Sequence, residues 1–165
     1  MNFKQARSDI LDWIVNFVEK PNPLLSGWSP CPYARQARLQ NRLDIRRGLD
    51  PFADLLSTGS MQSFDVIAFV YDPSKWSADE FNYMIDACNR GFLTNRNLLA
   101  LADHPDSVEL VNGLTFNQGK YAITFLQDLE KLNQAAKDIA KKGYYKDWPE
   151  EYLTDLFKFR VDPRE

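Results

Sequence analysis

Phe64-Asp65-Val66-Ile67-Ala68-Phe69-Val70-Tyr71-Asp72 decides the fold: from Val66 to Tyr71 the run carries no charge and is rich in β-branched and aromatic residues. Such a run reads as a central strand buried on both faces. Asp72-Pro73 ends it, because proline has no backbone donor for a ladder. Ser77 with Glu80 three residues on is a capping box, and Phe81, Met84, Ile85 and Cys88 follow at the spacing of one buried helix face. Gly91 marks the end of that helix, and Leu98-Leu99-Ala100-Leu101-Ala102 reads as a second apolar strand that stops at Asp103-His104-Pro105. Strand, helix and strand make a β-α-β unit, which predicts that residues 64 to 72 and 98 to 103 pair in parallel as the two middle strands. Asp72, Asp103 and His104 then emerge at one carboxyl edge, where ligands of such sheets gather.

Upstream, Leu43 and Ile45 alternate with Arg42, Asp44 and Arg46, the pattern of a half-exposed strand, and Gly48 ends it before a short helix from Pro51 to Leu56. Run antiparallel to the central pair, this strand would start at the His104 edge. Downstream, Val108 to Val111, the Asn112-Gly113 turn and Leu114 to Phe116 predict a short hairpin. A long helix is expected from about Lys120 to Lys142, burying Ala122, Phe125, Leu126, Leu129, Leu132, Ala136 and Ile139, with Gly143 closing it. Asn117 stands where it would cap that helix, and helix N-termini favour anions. After the turn at Tyr144-Tyr145-Lys146-Asp147-Trp148-Pro149, residues 150 to 159 predict a last helix with Tyr152, Leu153, Leu156 and Phe157 on its apolar side.

The first helix is expected over residues 8 to 20, stopped by Pro21 and Pro23. It leads to Ser29-Pro30-Cys31-Pro32-Tyr33-Ala34, where two prolines stiffen the turn that holds the thiol. Arg35 and Arg38 follow, and a nearby cation favours the reactive thiolate, whereas a buried free cysteine is only a small hydrophobe. Arg35, Arg38, Arg42, Arg46 and Arg47 place five arginines within 13 residues. Guanidinium forks bind phosphate and carboxylate, and the competing reading is a solvated face balanced by acids.

The 165 residues, 44% hydrophobic and 26% charged, suit one soluble domain. Within it we expect an N-terminal helix (8–20), an α/β body (40–142) and an aromatic helical tail (144–160). The fold class is α+β: a small mixed sheet of three to five strands with one parallel β-α-β unit, flanked by helices, ferredoxin-like or a permuted variant. A net charge of −3 argues against nucleic-acid binding, and no apolar run approaches a membrane span. Without a secretory leader the chain is expected in the cytoplasm, with Cys31 and Cys88 as thiols, no metal and no cofactor.

Cys31-Pro32-Tyr33-Ala34, His104-Pro105, and Asn117 with Tyr121, in that order, resemble an uncharacterised bacterial family of single-domain proteins. That family bears a Cys-Pro-Phe-Ala motif after its first helix. Its later strand ends in His-Pro, and an Asn and a Tyr open the helix that follows. The likeness spans about residues 8 to 135. This chain differs in Tyr33, in Ser26-Gly27-Trp28-Ser29-Pro30 before the cysteine, and in a shorter stretch between His104 and Asn117. In overall style it is also similar to hypothetical proteins of marine cyanobacterial viruses.

Two function classes follow. One is a small-molecule enzyme or binder with Cys31 and His104 as nucleophile and base, and Arg35, Arg38, Asn117, Tyr121, Asp72 and Asp103 around an anionic ligand. The other is a non-catalytic interaction or homo-oligomerisation module that docks through the aromatic tail.

Overall fold

In the computed structural model, which describes all 165 residues, α1 (Phe3–Trp13) starts earlier than the apolar spacing indicates. The Asn2 side chain accepts from the Gln5 amide at 3.2 Å and caps it. A π turn over Ile14–Val18 widens the end of this helix. The Cys31 turn then leads into α2 (Ala34–Leu39) and β1 (Leu43–Arg47), and Asp50 caps α3 (Pro51–Ser57) before β2 (Val66–Tyr71). Both halves of the capping box form at α4 (Ala78–Cys88), which buries Phe81, Ile85 and Cys88. A second π turn (Asn89–Leu93) and a 3-10 turn carry the chain past Gly91 to Asn97, the residue with positive φ that precedes β3 (Leu98–Asp103). A hairpin of β4 (Leu110–Val111) and β5 (Leu114–Thr115) turns at Asn112-Gly113, both with positive φ as a type I′ turn requires. β6 (Ala122–Asp128), α5 (Leu129–Ala140) and α6 (Glu150–Leu156) complete the chain.

The fold is α+β. Its main sheet has the order β1-β2-β6-β3, and β1 and β2 are its one parallel pair. β6 is antiparallel to both β2 and β3. One face carries Ile67, Phe69, Tyr71, Ala100 and Leu126 against Leu55 of α3 and Phe81, Ile85 and Cys88 of α4. On the other face Ile45, Ala68, Val70 and Ile123 lie under Ala6 and Ile10 of α1 and Ile14. A separate cluster joins Ala136 and Ile139 of α5 to Tyr144, Tyr145, Leu153 and Phe157. Tyr144, Tyr145 and Phe157 of the tail are therefore core residues of a helical cap.

Three expectations are corrected. Residues 120 to 142 are not one helix: Ala122–Asp128 is a strand, and α5 starts only where the Asp128 side chain accepts from the Lys131 amide at 2.9 Å. Ile123 and Thr124 are β-branched and prefer the extended chain, while α5 keeps the helical spacing. Asn117 consequently caps no helix. Second, β2 and β3 do not pair, because β6 lies between them; they still point the same way, so Asp72 and His104 do share an edge. The parallel β-α-β unit is β1-α3-β2. Third, β1 runs parallel to its neighbour, not antiparallel, so the segment from Cys31 to Arg38 enters the sheet at the edge opposite His104.

Gly48 closes β1 against the fully buried Tyr71 ring, and a Cβ at this position would fall inside the van der Waals envelope of three ring carbons. Gly48→Ala is expected to cost about 1–3 kcal/mol in urea denaturation, the range of core overpacking. A Tyr71→Leu background should recover part of the loss. Undiminished stability in the single variant would contradict the close approach.

Candidate functional site

Alternation along β3 and β6 turns Leu99, Leu101 and Asp103, with Phe125 and Gln127, toward the side opposite α4. Neither α1 nor the α5–α6 cap fills the space over them. A pocket of about 990 Å³, open to solvent on one side and continuing round the β3 edge to Asn82, Asp86 and Asn89, remains there, the size of a small-molecule pocket. Its walls include Trp13 and Phe17 from the first helix and its π turn, Phe116 after the hairpin, and Tyr144, Trp148 and Tyr152 from the tail. Phe116, Trp148 and Tyr152 meet edge to face, with centroids 5.5 to 6.0 Å apart.

Cys31 lines this cavity and is partly accessible, whereas Cys88 is buried. The Cys31 amide donates to the Val18 carbonyl at 3.0 Å, and the Tyr144 hydroxyl donates to the Ser29 and Pro30 carbonyls, so the tail holds the turn. Burial of the sulfur raises the Cys31 pKa, and the Tyr33 and Ala34 amides offset this only in part. Burial likewise pushes the Cys88 thiol up to about 11. The expected activation of Cys31 by arginine is absent: Arg35 is exposed, and Arg38 grips Glu19 through two bonds of 3.0 and 2.7 Å. Arg42 is spent in the same way on Asp65.

His104 lies outside the cavity wall and is fully buried. Its Nδ1 accepts from the Asp106 amide at 3.2 Å, which assigns the hydrogen to Nε2, donating to the carbonyls of Pro73 and Trp76 at 3.2 and 3.0 Å. Both ring nitrogens thus tie loops together. Asn117 donates to the carbonyls of His104, at 2.8 Å, and Ser107. Asp72 accepts from the Ser74 amide at 3.0 Å and caps the short 3-10 turn that leads to Trp76. The Tyr121 hydroxyl donates to Asp9 at 2.8 Å, joining the sheet edge to α1. The carboxyl edge therefore brings together Asp72, Asp103, His104 and Asn117, with Tyr121 beside them, but it does not bring Cys31, Arg35 or Arg38.

The polar end of the cavity is made by Asp103 and by Glu109, a residue that sequence reasoning missed. Asp103 is 4% exposed, its Oδ2 accepts from the Gln118 amide at 3.0 Å, and its Oδ1 has no partner. Burial pushes Asp103 up to about 7. Burial, then the charges of Asp103 and Asp155, push Glu109 up to about 8, and no cation offsets either group. Tyr152 is raised by burial and by the same acids. Two carboxyls whose protonation changes near neutrality, in an aromatic-walled cavity, can donate or accept a proton there. The only signal for Glu109 was an acid within the apolar run Val108-Glu109-Leu110-Val111.

No group of three or more His, Cys, Asp or Glu side chains is placed to hold a metal ion. No helix is long and apolar enough to cross a membrane. Compared with known proteins, the chain matches no family model, no curated protein and no solved structure, so the chemistry of the site is read from its own geometry.

Proposed function

We propose that the protein is a small-molecule binder or enzyme whose ligand occupies the cavity between β3–β6 and the aromatic cap. The observation that carries this reading is the 990 Å³ cavity with a buried, half-partnered carboxyl at one end. An open pocket of this volume, walled mainly by apolar and aromatic side chains with a few polar groups at one end, has the make-up of a small-molecule site. The tail's Tyr144, Tyr145 and Phe157 are buried inward, which favours a cavity cap over a docking tail. In the same reading the protein works in the cytoplasm, in keeping with two free thiols. Its β2-α4-β3-β6 portion, a split β-α-β arrangement, is the ferredoxin-like part of the fold, with β1 added in parallel. The likeness to the Cys-Pro-Phe-Ala family belongs to this proposal too, with Cys31 in the cavity wall and Asn117 behind Asp103 and His104.

A neutral fluorescent probe, N-phenyl-1-naphthylamine, tests the reading. Saturable fluorescence enhancement is expected in the native protein, and Leu101→Trp, which fills the space from β3, should weaken it about tenfold or more while the thermal midpoint holds. Unchanged binding in a folded Leu101→Trp protein, or no saturable binding in the native one, would reject the cavity as a ligand site.

A further inference from the structure

Resting on the cavity reading, we infer that the ligand is an organic cation: a primary ammonium carried on an apolar or aromatic body. The geometry is a half-cage. Phe116, Trp148 and Tyr152 form one wall, each within 6.0 Å of the other two. The Phe116 amide donates to the Glu109 carbonyl at 2.9 Å, so the hairpin places the Glu109 carboxyl beside that wall. Asp103 lines the same cavity from the end of β3. Ring faces carry negative electrostatic potential and attract cations, most strongly where water is excluded. Carboxylates add charge and acceptors. Asp103 Oδ1 is a buried acceptor without a donor, and leaving such a group unpaired costs about 1–3 kcal/mol. A ligand N–H supplies what the protein does not, which selects a primary ammonium over a quaternary one.

The cations that line the cavity do not satisfy this end. Lys158 is paired with Asp86 and Asp155 at 2.7 and 2.9 Å, and Arg160 donates to the Leu132 carbonyl at 3.3 Å while stacking on Phe157. Lys131 is exposed. The acidic end is thus open to a charge brought from outside, and the titration of Asp103 and Glu109 near neutrality fits groups that lose their protons when a cation arrives.

Three probes of one shape decide the matter: phenethylamine as its cation, phenethyl alcohol, and 3-phenylpropionate, each titrated calorimetrically into the full chain at neutral pH. Phenethylammonium is expected to bind at least about tenfold more tightly than the alcohol, with the propionate weakest. That preference should fall to about twofold or less in the double variant Asp103→Asn with Glu109→Gln, and should also shrink in Phe116→Leu, which keeps an apolar wall but removes a ring face. Circular dichroism checks that both variants are folded. Equal binding of amine and alcohol would overturn the cation assignment and leave the cavity reading standing. Tightest binding of the propionate would overturn it in favour of an anion site. Saturable binding of none of the three would overturn the cation assignment, and the N-phenyl-1-naphthylamine titration then decides the cavity reading separately.

Discussion

Replacing Asp103 by Asn is expected to make the protein more stable at pH 8, by on the order of 4 kcal/mol, and to leave it nearly unchanged below about pH 4. Asp103 is pushed up to about 7 and Glu109 up to about 8, with burial the first cause of each. Both values lie above those of the unfolded chain, so the folded state holds protons that the unfolded state releases. The linkage sign follows: this contribution is fully present below about pH 4 and is lost as the pH rises through 7 to 8. The groups facing these two are each other, Asp155 and Tyr152, and none is a cation. At the acid end the opposite holds. Asp65 is held below the ordinary range first by its Arg42 hydrogen bond, and Asp162 by Arg164, so their contribution is present above about pH 4 and is lost on further acidification. Stability should therefore peak near pH 4. The amide introduced by Asp103→Asn would keep an oxygen for the Gln118 amide and would carry no charge at any pH. Urea denaturation of both proteins at pH 4, 6.5 and 8 provides the comparison, and parallel pH profiles would show that Asp103 is not a buried, uncompensated acid.

The elements that sequence reading located are those whose signal is local. Val66–Tyr71 and Leu98–Asp103 have apolar runs too short for helices, and Ser77 and Glu80 cap α4 through contacts three residues apart. β6 was hidden because Ala122, Phe125 and Leu126 fit a helical period when continued into Leu129, Leu132, Ala136 and Ile139. The better signals were Ile123-Thr124 and the cap at Asp128. Sheet order was hidden for a different reason: a strand buried on both faces looks the same beside either neighbour, so nothing in residues 122 to 128 says that they split β2 from β3. The parallel sense of β1 is what separates the Cys31 turn from the His104 edge. The site was half legible. Asp103 was named from its position at a strand end, but Glu109 sits in a hairpin that reads as solvent-facing. Only the closure of the α6 cap, more than 40 residues later in the chain, brings it to half-buried.

Asn89→Ala should be among the most damaging single truncations, at about 2–6 kcal/mol. β3 is an edge strand: β6 occupies one side, and on the other the backbone of Ala100 has no strand to pair with. The Asn89 side chain takes that place, with Nδ2 donating to the Ala100 carbonyl at 2.8 Å and Oδ1 accepting from the Ala100 amide at 2.9 Å. Asn89 is 2% exposed and Ala100 1%, so water cannot replace either bond. The π turn that begins at Asn89 brings the amide to this position directly after α4 ends at Cys88. Alanine would strand one buried donor and one buried acceptor, each costing about 1–3 kcal/mol, against a total stability of about 5–15 kcal/mol for a domain. Asn89→Asp separates the two bonds. Its carboxylate keeps the acceptor for the Ala100 amide, but the Ala100 carbonyl loses its donor until the acid is protonated. The aspartate variant should therefore be at least as unstable as the alanine variant at pH 7 and should recover toward wild type at pH 4.5. Hydrogen exchange at the Ala100 amide should quicken in Asn89→Ala, as the edge of β3 opens before the sheet unfolds. A loss below about 1 kcal/mol with unchanged exchange at Ala100 would mean that β3 is held by β6 alone.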